Sequence, residues 1–355
     1  MKILHYVDEN RLSWGEPWAQ LLLALKKNGA ENHIVCKSGG TLGKLLEENG
    51  LDVIRYDMHV PWAPAADIGF SKILDEVKPD LIHTRLSAAA KVGGFWGSHK
   101  NIPVASTLEK YSKVKYFKNC SRLLCCSASV REHIIALGFP ADKTEVLYNG
   151  IDTAIYLPDI KGREEYRARI GAAPEDIVVC SAGRFVAEKG FDWLIESFCD
   201  FSKRYHGRSH LVLAGAGEEQ TNYEALIKNL AIEDRVIMPG YAQDIRPWLW
   251  ASDIFVLPSR WREAFGLSLL EAMACGCASV ASAGDGPEEI IGNSGILVSK
   301  GCVSEISDAM LLISTDKLLR KRLSDSAIER ACDFDVSVIA KQTLHIYNDL
   351  INERR

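Results

Sequence analysis

The chain has 355 residues, too many for one ordinary core and suited to two domains of roughly 150–200 residues each. Hydrophobic residues at 47% and charged residues at 25% exclude a disordered or fibrous chain, and no run reaches the ~18 consecutive apolar residues that a membrane span needs. The net charge of −5 hides an asymmetry: residues 1–150 hold 19 Lys and Arg against 16 Asp and Glu, and the remainder 23 against 31. The first half therefore suits a more anionic neighbour, a phosphorylated acceptor or a membrane surface, or simply presents a solvated face. Nothing in it reads as a nucleic-acid module.

The opening M-K-I-L-H-Y-V-D-E-N turns acidic at Asp8, lacks the apolar region of a signal peptide and reads as a first strand. The ten cysteines are scattered without metal spacing; Cys125-Cys126 and Cys275-x-Cys277 are not C-x-x-C pairs. They read as reduced, core-filling thiols of a cytoplasmic protein.

Short apolar runs alternating with amphipathic stretches predict a parallel sheet with helical crossovers. In the first half the strands fall at Ile3–Val7, His33–Cys36, Asp52–Tyr56, Asp80–His83, Pro103–Ser106, Arg122–Cys126 and Glu145–Tyr148. Helices fall at Glu16–Lys27, Gly43–Asn49, Ile68–Val77, Ala88–His99 and Ala128–Leu137. The first strand-to-helix loop, R-L-S-W-G-E-P-W, carries Gly15, which leaves backbone N–H groups open to an anion. Without a G-x-G-x-x-G after the first strand, a dinucleotide dehydrogenase loses its main support.

Residues 151–175 are polar and read as irregular, so the domain boundary is set there, giving domains of 1–160 and 161–335. A second α/β pattern follows, with strands at Ile177–Ala182, His210–Ala214, Val236–Pro239, Ile254–Leu257, Ala278–Ala281 and Gly295–Val298. Its helices are predicted at Gly190–Tyr205, Glu219–Leu230, Ile245–Ala251, Leu267–Cys275, Pro287–Ile291, Cys302–Ser314 and Asp316–Ala331. A last helix, within 336–355, has an apolar face that can lie against the first domain.

Three stretches of the second half carry chemistry. In G-R-F-V-A-E-K-G-F-D-W-L, Arg184 and Lys189 bracket a loop with a helix starting near Gly190. A cation at a helix N-terminus is disfavoured by about 0.3–1 kcal/mol, so two of them fit best around an anion such as a diphosphate; the alternative is two solvated basic residues. Gly240, Tyr241 and Ala242 stand at a strand's carboxyl end, where open parallel sheets bind ligands. The stretch from Ser259 to Gly276 places Glu271 in a helix that is apolar almost all round, a costly position for an unpaired carboxylate. It either caps neighbouring backbone or awaits a polar ligand in a cleft between domains, and Glu263 on the preceding loop can face the same space.

A-G-R-F-V-A-E-K-G, V-I-M-P-G-Y, A-S-D-I-F-V-L-P-S-R-W-R-E-A-F-G-L-S-L-L-E-A-M-A-C-G and G-D-G-P-E-E-I-I together resemble the sugar-nucleotide domain of the retaining GT-B glycosyltransferases of family 4, in particular bacterial lipopolysaccharide-core sugar transferases. The spacing of Glu263 and Glu271 matches that family's E-x7-E motif. The resemblance is dense over residues 175–300 and thinner before. It implies two Rossmann-like, doubly wound α/β domains facing across a cleft, the first for the acceptor and the second for the donor, with the last helix packed back onto the first. Glu271 would hold the donor ribose, Arg184 and Lys189 would neutralise the departing diphosphate, and Glu263 with Ala264, Phe265, Gly266 and Leu267 would contact donor sugar and phosphate. Gly240, Tyr241 and Ala242 would lie beside the base, and the Gly15 loop would close over the phosphates. No D-x-D stands in a metal-binding context, so neither metal nor other cofactor is expected, and fixed cations would stabilise the leaving group. The E-x7-E pair is then not a hydrolase's acid/base couple.

The first half departs from that pattern in S-T-L-E-K-Y, where Glu109 stands in place of a family histidine. Either the acceptor end has diverged, or Glu109, with Lys110, meets a cationic or hydroxylated acceptor. Lys113, Lys115, Lys118 and Arg122 follow among Tyr111, Tyr116 and Phe117, as a solvated segment or as a contact to acceptor or anionic inner membrane. His5, His33, His59, His83, His99 and His133 form no ligand pattern. The reading is a cytoplasmic hexosyltransferase, peripheral at the membrane if that segment touches it. It would move a sugar from a nucleoside diphosphate, UDP favoured, to a cell-envelope glycan or glycolipid. The alternatives are a sugar-nucleotide-binding subunit without turnover and a GT-B epimerase.

Overall fold

The structure is a computed structural model, described over residues 1–10, 14–58 and 63–353. Arg11, Leu12 and Ser13 of the expected anion loop, His59, and the last two residues of the expected final helix lie outside the described residues. The chain divides into two compact units, Met1–Asp152 with Phe334–Arg355, and Thr153–Asp333. Among the described residues no helix is long and apolar enough to cross a membrane.

In unit 1 the elements run β1 (Lys2–Val7), α1 (Gly15–Lys27), β2 (Glu31–Cys36), α2 (Leu42–Glu48), β3 (Val53–Arg55), α3 (Ile68–Val77), β4 (Leu81–Arg85), α4 (Ser87–His99), β5 (Val104–Leu108), β6 (Arg122–Cys125), α5 (Ala128–Ala136) and β7 (Thr144–Val146). The sheet is parallel in the order β3-β2-β1-β4-β5-β6-β7. The chain winds outward one way from β1 and the other way from β4. Its order therefore reverses between β1 and β4, and at such reversals the loops beyond the strands' carboxyl ends part to leave a crevice.

Unit 2 opens with α6 (Ile160–Arg169), then β8 (Ile177–Ala182), α7 (Phe191–Arg204), β9 (Ser209–Ala214), α8 (Gln220–Asn229), β10 (Val236–Gly240), α9 (Arg246–Ala251), β11 (Ile254–Leu257), α10 (Leu267–Ala274), β12 (Ala278–Ser282), α11 (Asp285–Ile291), β13 (Gly295–Val298), α12 (Val303–Thr315) and α13 (Lys317–Cys332). Its parallel sheet has the order β10-β9-β8-β11-β12-β13, reversing between β8 and β11. Both faces are covered by helices, which is why the strands are apolar runs rather than alternating patterns; β8 and β9 are buried at every position.

The last helix, α14 (Val336–Asn352), belongs to unit 1. Ile339, Ala340, Ile346, Tyr347 and Leu350 pack with Ile3, Leu21 and Leu25 of β1 and α1. Each large side chain so buried contributes about 1.5–3 kcal/mol, enough to fix this helix to the sheet that begins the chain.

One expectation is corrected. Residues 151–175, read as irregular, contain α6. Asp159 caps it, its carboxylate accepting from the N–H groups of Lys161 and Gly162. Its inward face is held by charge rather than by an apolar stripe, so hydrophobic periodicity does not reveal it. Arg163 donates to Asp253 Oδ1 (2.6 Å), and the buried Arg167 donates to Asp253 Oδ2 (3.2 Å) and to the carbonyls of Ala251, Ala173 and Asp176.

Candidate active site

The loops beyond β8 and β11 flank the reversal in unit 2, and two glycines set their geometry. Gly190 has φ 65, and a Cβ there would lie 2.2 Å from the carbonyl oxygen of Pro258, so only glycine lets the two loops approach this closely. The Arg260 N–H completes the contact by donating to the Glu188 carbonyl at 2.9 Å. On the other side, a Cβ on Gly286 would lie 2.5 Å from the Ala264 carbonyl oxygen, and the Gly286 N–H donates to the Glu263 carbonyl. The loop from Pro258 to Leu267 is thus clamped by backbone from both neighbours, with Gly266 at φ 109 turning it into α10.

That clamp brings Lys189 to Glu263, with Nζ 2.5 Å from Oε2 and each side chain 21% exposed. The same oxygen accepts from Ser259 Oγ at 3.2 Å. Lys189 immediately precedes Gly190, the N-cap of α7. It ends a 3-10 turn over Ala187–Lys189, and the first turn of α7 carries Asp192, which is paired with Arg260. An ammonium has three N–H donors, so a Lys189 that serves Glu263 retains donors for an anion. Arg184 stands exposed on the same loop.

Glu271 lies at mid-α10, where Leu269, Leu270, Ala272, Met273 and Ala274 are buried. Glu271 as a whole is partly buried, and among the described residues it caps no backbone: Oε1 accepts from the Tyr156 hydroxyl at 2.9 Å. Burial raises its pKa to about 7; the Tyr156 hydrogen bond opposes that rise and the nearby Asp244 adds to it. Gly240 ends β10 with φ 82, followed by Tyr241 at 78% exposure and a partly buried Ala242.

In unit 1, the reversal between β1 and β4 also holds an ion pair. Arg85, the last residue of β4, donates to Glu109 Oε1, with side chains 7% and 10% exposed, and Asn149 Nδ2 donates to Glu109 Oε2 at 2.9 Å. The guanidinium lies 5.3 Å from the Trp14 ring and 6.0 Å from that of Trp18, within cation–π range. Leu86 follows at φ 71, a strained conformation for a bulky residue. Gly15 opens α1 beside Trp14 and is buried, and Lys110 is exposed.

Two other features of the sequence find their places in unit 1. His83 is a core residue, bonded to Thr107 Oγ1 (2.7 Å) and the Tyr347 hydroxyl, with burial driving its pKa down. In the basic segment, Lys113, Lys115 and Lys118 are exposed, but Phe117 is buried and Arg122 is engaged by Glu145 and Glu353. Sequence reasoning missed Tyr156, Arg85 and Asn149. The first lay in a segment taken as linker, and the others show their roles only once strand order is known.

The chain matches Glycosyltransferase Family 4 over residues 18–155 and Glycosyl transferases group 1 over residues 162–330. It is 30% identical over 256 residues to the lipopolysaccharide core biosynthesis glycosyltransferase LpsE of Rhizobium meliloti, covering 71% of this chain and 70% of that protein. To LpsD of the same organism it is 26% identical over 93% and 92% of the two chains. The crystal structure of Anabaena HepE in complex with UDP superposes at a TM-score of 0.87 and 22% identity, over 98% of this chain and 100% of that one. The fold is GT-B, and the chain belongs to the family 4, group 1 glycosyltransferases.

Proposed function

We propose that this glycosyltransferase moves a hexose from a UDP-sugar to a hydroxyl of a cell-envelope glycan, such as lipopolysaccharide core, with retention and without a metal. The observation that carries the reading is the Lys189–Glu263 pair at the strand-order reversal of unit 2, fixed by loops that admit only glycine at Gly190. HepE binds UDP and, in a second structure, UDP-glucose, which favours the UDP donor here; LpsE and LpsD favour the lipopolysaccharide acceptor.

In this reading unit 2 takes the donor and unit 1 the acceptor. Glu271 anchors the ribose, Gly240–Ala242 borders the base, and Glu263 with Ala264–Leu267 meets the sugar and phosphate. Lys189 and Arg184 face the diphosphate. As the glycosidic bond breaks, negative charge grows on the leaving phosphate, and cations already aimed there stabilise the transition state more than the ground state. The leaving phosphate oxygen accepts the proton of the attacking hydroxyl, so no side chain serves as general base. Gly15 approaches the phosphates, and Glu109 and Lys110 border the acceptor. The exposed lysines at 113, 115 and 118 offer a peripheral contact to anionic membrane at the cytoplasmic face.

The test is release of nucleoside diphosphate across a panel of UDP-, GDP- and ADP-sugars, with and without core oligosaccharide or lipid-linked acceptor. Acceptor-dependent UDP release supports the proposal. Tight nucleotide binding with no release from any donor would favour a binding subunit, and release that chelators abolish would refute metal independence.

A further inference from the structure

Tyr156 lies in the stretch that the sequence presents as linker, yet it is only 6% exposed and its hydroxyl ends on the carboxylate at the centre of α10. Its approach is fixed from both sides. Its own N–H donates to the Thr153 carbonyl, closing a 3-10 turn, and the preceding carbonyl, of Ile155, accepts from Arg246 Nη1 at 3.2 Å. Arg246 is itself held by Asp244, with Nε 2.8 Å from Oδ1 and Nη2 2.8 Å from Oδ2. The phenol is therefore pre-set by a bidentate clamp. It occupies Oε1 of Glu271, while Oε2 has no hydrogen-bond partner among the described residues.

We propose that Tyr156 is a positioning residue for donor binding: by holding Oε1 it orients the Glu271 carboxylate so that Oε2 meets the ribose hydroxyls of a nucleoside diphosphate. The inference rests on the reading of Glu271 as ribose anchor. A carboxylate on a flexible side chain loses rotamer freedom when it binds, and a neutral phenol that fixes one oxygen in advance removes that cost without a competing charge. A lysine or arginine in its place would neutralise the carboxylate instead.

The charges around Glu271 give the inference a second reading in pH. Tyr156 faces it from the connector, Asp244 from the β10–α9 side and Cys275 from the end of α10, while Arg246 acts on Tyr156 and Cys275 beside it. The ionised carboxylate is the stronger acceptor for the phenol and the ribose hydroxyls together. Its pKa of about 7 means that binding through the ribose weakens as pH falls below 7, by about tenfold per pH unit at the limit. Removing the phenol removes a bond that favours the ionised form, so the weakening begins at higher pH.

The experiment compares UDP and 2′-deoxy-UDP binding to the full chain by calorimetry from pH 6 to 8.5. The ratio of the two affinities reports the ribose contact and cancels the titration of the diphosphate they share. The wild type is expected to prefer UDP by about tenfold or more at pH 8, the scale of one hydrogen bond to a charged group. Tyr156→Phe should shrink that preference several-fold and move its pH midpoint upward, with kcat changed less than donor KM. Glu271→Gln, which keeps the shape and the phenol's acceptor, should make the ratio independent of pH. If Tyr156→Phe keeps the wild-type ratio and midpoint while Glu271→Ala abolishes the preference, the positioning role is refuted and the ribose anchor stands. If Glu271→Ala leaves the preference intact, the anchor itself is wrong and the role of Tyr156 falls with it. A pH-dependent ratio in Glu271→Gln would also overturn the inference, and needs no Tyr156 variant to fold.

Discussion

Replacing Lys189 by alanine tests the centre of the proposed mechanism. Loss of one preorganised donor aimed at developing charge costs about 2.7–4 kcal/mol, or 10²–10³ in kcat. Here a second effect adds to it. Glu263 Oε2 loses its partner at 2.5 Å and keeps only the Ser259 hydroxyl at 3.2 Å, which leaves a carboxylate uncompensated beside the phosphates. Removing Glu263 as well should relieve that repulsion. The Lys189→Ala/Glu263→Ala double variant should therefore lose less than the product of the two single losses, by a coupling of about 0.5–3 kcal/mol, a factor of roughly 2 to 150. The assay is initial-rate release of nucleoside diphosphate at saturating donor and acceptor, with KM followed separately. A uniform loss of binding would appear in KM alone, whereas the mechanism places the loss in kcat. Near-normal kcat for Lys189→Ala, or strict additivity in the double variant, would show that this pair does not serve the leaving group.

Gly190→Ala places a Cβ against the Pro258 carbonyl at φ 65, so it should lower stability by about 1–3 kcal/mol in thermal melts and lower kcat by displacing Lys189; unchanged melting and turnover would contradict the clamp. In unit 1, Arg85→Met leaves Glu109 charged and nearly buried, and should destabilise by about 3–5 kcal/mol, with Arg85→Met/Glu109→Leu regaining most of it. A loss in the double variant equal to the sum of the Arg85→Met and Glu109→Leu losses would mean that the pair is not coupled. His5 is held neutral by burial, its pKa lowered to about 3 despite the opposing bond that its Nε2 donates to Asn32 Oδ1. The unfolded chain then binds the extra proton, so stability present above pH ~6.5 should be lost on acidification, by up to about 1.4 kcal/mol per pH unit for this group. His5→Gln should flatten the dependence of melting temperature on pH between 6.5 and 5, and an unchanged slope would refute the assignment.

The strands and most helices are legible because each carries its own signal: an apolar run for β8, a 3.6-residue stripe for α14. Glu271 is legible as a candidate site residue for the opposite reason, since a carboxylate breaks the apolar pattern of α10. What the pattern cannot carry is any contact whose partners lie on different elements. Lys189 and Glu263 are 74 positions apart, and their pairing follows from the reversal between β8 and β11 and from backbone approach at Gly190, neither of which has a local signature. For α6 the local signal misleads outright. I-K-G-R-E-E-Y-R-A-R has no apolar stripe because Asp253 takes the place of a hydrophobic partner for Arg163 and Arg167. Taking this region as linker also hid Tyr156, whose phenol answers the question that Glu271 poses.

The two units reach the same arrangement with opposite exposure, and the difference suits them to different ligands. Each parks a cation on a glutamate where its strand order reverses: Lys189 on Glu263 in unit 2, Arg85 on Glu109 in unit 1. Side chains that are one-fifth exposed keep access to water, so a ligand phosphate can share Lys189 at little cost in broken contacts. Arg85 and Glu109, at 7% and 10%, are enclosed by Trp14, Trp18 and Asn149, and parting them would leave two charges uncompensated in a nearly dry site. A phosphorylated acceptor group would have to displace Glu109 to reach Arg85, whereas a sugar hydroxyl can donate to a free lone pair of Glu109 and leave the pair intact. If unit 1 takes the acceptor as proposed, its closed pair favours a neutral, hydroxyl-bearing acceptor end, and the open pair in unit 2 suits an anion.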